Sequence, residues 1–189
     1  MSKSDRGGGR SAPTPSGPAA FVVLGAAGDL TQRKLLPALY NLARQRLLSD
    51  SFVLVGLARR ELDDAGFRDK LGEDVRAWAG ERFEPAAWDW LASRIAYVRG
   101  DFDDPRAFER LAARLDELER ERGTGGNALF YLATAPDWFT PVTRSLAQAG
   151  LLAEEGGRWR RVIVEKPFGR DLESARALNR DLRALLAER

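Results

Sequence analysis

The 189-residue chain contains no cysteine and no histidine. The first absence excludes disulfides and thiolate metal sites, and no other metal site is read from the residues. The second removes the imidazole base, so proton transfer near neutral pH must rely on another group or another polypeptide. No apolar run approaches the roughly 20 residues that cross a bilayer, and the first twenty residues lack the apolar stretch of a secretory signal. A strong charge of one sign is missing too. Lysine and arginine number 30 against 28 acids, a formal +2. The signs are closely mixed, as in Glu117-Leu118-Glu119-Arg120-Glu121-Arg122. That pattern describes a solvated helix face, so neither nucleic acid nor membrane is expected as a partner.

Hydrophobic residues make up 44% and charged residues 31%, enough to bury the core of one α/β domain. Residues 1–19 are mostly Gly, Ser, Pro and basic residues, a composition that cannot bury a core, and are expected to form a disordered leader. Residues 20–189 are expected to form the folded domain. Within it, apolar runs alternate with amphipathic stretches. Strands are expected at Phe21–Leu24, Phe52–Leu57, Ile95–Arg99, Ala128–Ala133 and Val162–Val164. Helices are expected at Thr31–Arg46, with Pro37 restarting or kinking it, and at Asp63–Ala79, Glu84–Ser93, Pro105–Arg122, Asp137–Ala149 and Leu172–Leu185. Five apolar runs separated by helices predict an α/β fold with a doubly wound parallel sheet, a Rossmann-like dinucleotide-binding domain. Ligands in such sheets lie beyond the carboxyl ends of the strands. The residues just after each strand are therefore the ones to read.

After the first strand comes Gly25-Ala26-Ala27-Gly28-Asp29-Leu30-Thr31, a glycine turn opening a helix. Gly25 lets the chain leave the strand with an unusual φ, and Gly28 lets backbone approach a pyrophosphate. After the second strand stand Arg59 and Arg60, with no carboxylate before Glu61. NAD-selective sites place an acid there for the ribose 2′-hydroxyl. A guanidinium pairs with a 2′-phosphate instead, so the expected cofactor is NADP.

Three stretches, GAAGDLTQRKLLPALYNL, GLARREL and VIVEKPFGRDLESARALN, with YLATAP and AGLL between them, resemble glucose-6-phosphate dehydrogenase, the NADP-dependent enzyme that opens the oxidative pentose phosphate pathway of glucose metabolism. The resemblance runs from residue 21 to the C-terminus. It implies a cytoplasmic oxidoreductase, with glucose 6-phosphate as the complete enzyme's substrate. It also implies a coenzyme loop formed by Gly25, Ala26, Ala27, Gly28, Asp29 and Leu30, and a 2′-phosphate contact from Arg59. Asp101 and Phe102 would border the adenosine side, and Ala135 and Pro136 the nicotinamide ribose. Lys166 in EKPFG would stand at the cofactor–substrate junction, before a proline often cis in the family, and Lys34 would face the substrate. Ala27 departs from the hydroxyl residue common at its position, which implies a weaker preference for NADP over NAD.

The family's RIDHYLGKE motif, which carries a phosphate-binding histidine and lysine, is not found in the chain, nor is a second histidine that would take the sugar's proton. The resemblance thus implies a coenzyme domain without the family's second α+β domain. No catalytic residue is expected in these 189 residues, and no activity of the chain alone. Two alternatives stay open: a stand-alone NADP(H)-binding module, and one half of a split enzyme partnered by a complementing C-terminal chain.

Overall fold

The computed structural model describes residues 14–186. Five strands form one parallel sheet: β1 (Ala19–Leu24), β2 (Phe52–Ala58), β3 (Ile95–Arg99), β4 (Ala128–Leu132) and β5 (Arg160–Val164). Their spatial order is β3-β2-β1-β4-β5. The chain builds outward from β1 in one direction, then crosses back to begin again at β4. Register follows the apolar pattern, with Val22 of β1 opposite Val55 of β2 and Phe130 of β4.

Side chains alternate across the sheet and feed two cores. Val22 and Leu24 of β1 join Val53, Val55 and Leu57 of β2, packed under α4 (Pro105–Arg122) and α5 (Phe139–Gln148). Val23 joins Leu54, Ile95 and Tyr97 under α1 (Leu36–Arg44), α2 (Asp64–Ala79) and α3 (Pro85–Ala92). All seven residues of β2 are buried, the expected result of cover on both faces. The strand's glycine has its own reason: a Cβ on Gly56 would meet the Phe67 ring at 2.6 Å and the Ala26 methyl at 2.8 Å. Helix α2 and the turn after β1 close on the sheet only because that atom is missing.

Helix starts follow local chemistry. The Asp63 carboxylate accepts the Gly66 N–H at 2.8 Å, and Asp104 caps α4 ahead of Pro105. Helix α6 (Leu172–Leu185) opens on a reciprocal Asp171–Ser174 capping box. The expected restart at Pro37 takes a specific form. Residues Thr31–Leu35 make a wide π-type turn before α1, and the Leu36 N–H reaches the Thr31 carbonyl, five residues back. Proline has no N–H to continue the ordinary ladder, so the extra residue is absorbed ahead of it.

The first thirteen residues of the expected leader lie outside the described residues. Its last part is tied to the body. Ser16 donates its N–H to the Leu47 carbonyl at 2.9 Å, the Asn127 amide donates to the Pro18 carbonyl at 3.0 Å, and Ala19 already pairs with Phe52. Among the described residues no helix is long and apolar enough to cross a membrane.

Candidate functional site

Sheet order places the site. The connections from β1 and β4 leave in opposite directions, and a cleft opens beyond the carboxyl ends of the strands at that switch point. Its volume is about 390 Å³, and it is lined by Gly25, Ala27, Gly28, Ala58, Arg59, Arg60, Phe102, Ala133, Thr134, Ala135 and Trp138. The turn after β1, the turn after β2, the loop after β3 and the loop after β4 all contribute.

The first turn is held from beneath. Gly25 and Ala26 donate their N–H groups to the Leu57 carbonyl at 2.9 and 3.2 Å, and Gly28 donates to Gly25 at 2.9 Å. Gly25 has φ +94°, and a Cβ there would sit 2.5 Å from the Ala133 carbonyl oxygen. Glycine is therefore required for the strand to turn against β4's exit. The amides of Ala27, Asp29 and Leu30 make no hydrogen bond among the described residues. They are the free donors of a helix start, suited to an anion. Ala26 itself is buried among the α1–α2 core residues and can offer only backbone. Asp29 is exposed and paired with Arg33 at 2.7 Å.

Arg59 follows β2 directly. Its side chain is 80% exposed, and its ion pair to Asp101 is loose at 3.8 Å, so the guanidinium is available to a ligand. The nearest acid in sequence is engaged elsewhere, since Glu61 pairs with Arg99 at 2.6 Å. The turn is clamped by a residue that sequence reading missed. The Tyr97 hydroxyl of β3 lies 2.8 Å from the Ala58 carbonyl and 2.7 Å from the Arg60 carbonyl. Burial pushes its pKa above the ordinary tyrosine value against the opposing pull of Arg60 and Arg99, so the hydroxyl stays a donor.

Phe102 and Trp138 both line the cleft, their rings tilted at 59° with centroids 5.5 Å apart, and give it an apolar wall. Trp138 was not read from the sequence. Its one signal was an aromatic side chain closely following a strand, within the short helical turn Pro136–Trp138. Asp101 accepts the Phe102 N–H at 2.8 Å and touches the cleft through Arg59. Pro136 stands next to the lining residue Ala135.

Both predicted lysines lie away from this lining. Lys34 is exposed on the wide turn before α1, and Lys166 is exposed in the loop after β5, two strands along from β1. Neither has an ion-pair partner among the described residues. The Lys166–Pro167 peptide is cis. The loop is anchored by Glu165, which accepts the Tyr131 hydroxyl of β4. Burial, this bond and the carboxylate's charge push the Tyr131 pKa up to about 12.

The family model for "Glucose-6-phosphate dehydrogenase, NAD binding domain" matches residues 22–189. A Mycobacterium bovis protein named glucose-6-phosphate 1-dehydrogenase 2 is 44% identical over 93% of this chain and 34% of its own length. A Chlamydia pneumoniae glucose-6-phosphate 1-dehydrogenase is 40% identical over 96% of this chain and 36% of its own. Among solved structures, glucose-6-phosphate 1-dehydrogenase from Mycobacterium avium superposes with a TM-score of 0.76 at 37% identity, covering 89% of this chain and 34% of that one. A glucose-6-phosphate dehydrogenase in complex with its substrate superposes at 0.78 and 31% identity, covering 93% of this chain and 36% of that one. The chain thus spans about a third of the length of the relatives it matches.

Proposed function

The chain belongs to the glucose-6-phosphate dehydrogenase family, and on that premise we propose that its cleft holds NADP for the oxidation of glucose 6-phosphate to 6-phosphogluconolactone. One observation carries the choice of NADP. An available arginine follows β2 directly, where a ribose 2′ substituent is read, and the nearest acid in sequence, Glu61, is paired with Arg99.

In this reading the amides of Ala27, Asp29 and Leu30 meet the pyrophosphate, with Gly25, Ala26 and Gly28 setting the backbone that presents them. Arg59 pairs with the 2′-phosphate. Asp101 and Phe102 flank the adenosine, while Ala135 and Pro136 flank the nicotinamide ribose. Lys166 and Lys34 face the sugar phosphate, where positive charge would hold a dianion. Bound NADP supplies the hydride acceptor. The base that takes the sugar's proton is not among these residues, since they include no histidine. Loss of a general base costs about 10²–10⁴ in rate. The 189 residues also span only about a third of the length of their relatives, so in this reading the polypeptide by itself binds without useful turnover. The substrate class rests on the named relatives and on the neighbour solved with glucose 6-phosphate. A cytoplasmic setting belongs to the same proposal.

Calorimetric titration of the Arg59→Ala variant tests it. A charge-assisted contact predicts NADP affinity lower by about 10- to 100-fold with NAD affinity nearly unchanged. Equal losses for both dinucleotides would defeat the 2′-phosphate assignment. Measurable glucose 6-phosphate oxidation by the polypeptide alone would defeat the claim that its base lies elsewhere.

A further inference from the structure

We propose that Tyr97 is a positioning residue for dinucleotide selectivity: its one O–H proton, shared between the Ala58 and Arg60 carbonyls, bridges the two sides of Arg59 and so fixes the turn that presents that arginine. The inference rests on the NADP reading above. Tyr97 does not line the cleft. It stands on the edge strand β3, and its ring packs on Phe67 with centroids 4.8 Å apart. From there the hydroxyl reaches across to the end of β2, where the Ala58 and Arg60 carbonyls converge on it at 2.8 and 2.7 Å. Arg59 lies between the two anchored peptides and lines the cleft.

The tyrosine is itself held. The Asp64 carboxylate at the start of α2 accepts the Tyr97 N–H at 2.6 Å and pairs through its other oxygen with Arg114 of α4 at 2.8 Å. Helix α2 thus holds both ring and backbone, through Phe67 and Asp64, while the hydroxyl meets the turn after β2. Such fixation matters for an arginine whose own side chain is largely free. An exposed guanidinium on a loose turn loses more conformational freedom on binding than one whose backbone is already set.

Removing the hydroxyl should leave the fold intact. The Ala58 carbonyl keeps the Gly100 N–H at 3.0 Å, and the Arg60 carbonyl keeps the Leu62 N–H at 3.0 Å. Neither oxygen is orphaned in Tyr97→Phe, so the denaturation midpoint is expected to stay close to that of the unaltered protein.

The experiment is a double-mutant cycle by titration calorimetry with NADP and NAD, using the unaltered chain, Tyr97→Phe, Arg59→Ala and the double variant. The expected result for Tyr97→Phe is NADP binding weaker by about 3- to 10-fold, the scale of one neutral hydrogen bond. NAD binding should shift by less than about 2-fold. On the Arg59→Ala background, Tyr97→Phe should change NADP binding no further. Equal weakening of NAD and NADP by Tyr97→Phe, no effect on either, or full additivity with Arg59→Ala would each overturn the positioning role. If Arg59→Ala itself fails to discriminate the dinucleotides, the 2′-phosphate reading falls and the proposal falls with it.

Discussion

A methyl group on Gly25 would meet the Ala133 carbonyl oxygen at 2.5 Å, at a φ of +94°. An L-residue in left-handed backbone costs about 1–2 kcal/mol, and forcing atoms into a packed site costs about 1–3 kcal/mol more. Gly25→Ala is therefore expected to lower the urea midpoint clearly and to abolish dinucleotide binding; a stable, binding variant would show that the turn is not built this way. Tyr131 supplies a prediction of a different kind. Its pKa is raised from 10 to about 12 by burial, by its bond to Glu165 and by that carboxylate's charge. The folded state holds the proton more tightly than the unfolded one, so the stabilisation is complete below pH 10 and is lost as pH rises toward 12. Tyr97 shifts in the same direction. Urea midpoints measured from pH 8 to 12 should fall above pH 10, and Tyr131→Phe should make the fall shallower; an unchanged slope would contradict the assignment. Among the cleft-lining residues, Gly25, Gly28 and Arg59 were legible because they fall just beyond the end of an apolar run. Tyr97 was not, for it acts on a turn 37 residues earlier in the chain, and no local pattern records such a contact.

Elements were more legible than sites. The limits of β3, α4 and α6 coincide with those expected from the sequence, because Gly, Pro and Asp mark their ends. The wide turn Thr31–Leu35 escaped, since hydrophobic period alone cannot distinguish a five-residue hydrogen-bond step from a four-residue one. Its cause, Pro37, was visible. The role of Gly56 escaped as well, because FVLVGL reads as a buried strand whether or not a helix closes on its glycine. Gly56→Ala is expected to destabilise by about 1–3 kcal/mol as Phe67 is displaced. It should also weaken dinucleotide binding, because the new methyl group would press on Ala26 in the phosphate turn. Equilibrium denaturation with a parallel titration checks both halves. Full retention of both would mean that the Phe67 ring swings aside freely.

For the whole molecule, alternating elements predicted a parallel doubly wound sheet, but not which strand stands beside which. The order β3-β2-β1-β4-β5 depends on crossovers that leave no mark in the sequence. Nor did periodicity reveal how unevenly the layers are covered. Strand β2 is wholly buried, whereas β5 alternates between exposed and half-buried residues and α6 has no buried residue. Ile163 of β5, Leu172 of α6 and Phe168 between them stand exposed. Regions with few buried contacts open locally at low cost. Hydrogen exchange should therefore be fastest, among regular elements, in β5 and α6 and slowest in β1 and β2; uniform exchange would contradict this picture. The same exchange measurement, repeated with saturating NADP, shows whether the switch-point cleft holds the dinucleotide. New protection is expected in residues 25–31, 58–61, 100–102 and 133–138, the segments that surround the switch-point cleft. Protection confined to β5 and α6, or none anywhere, would contradict NADP binding there.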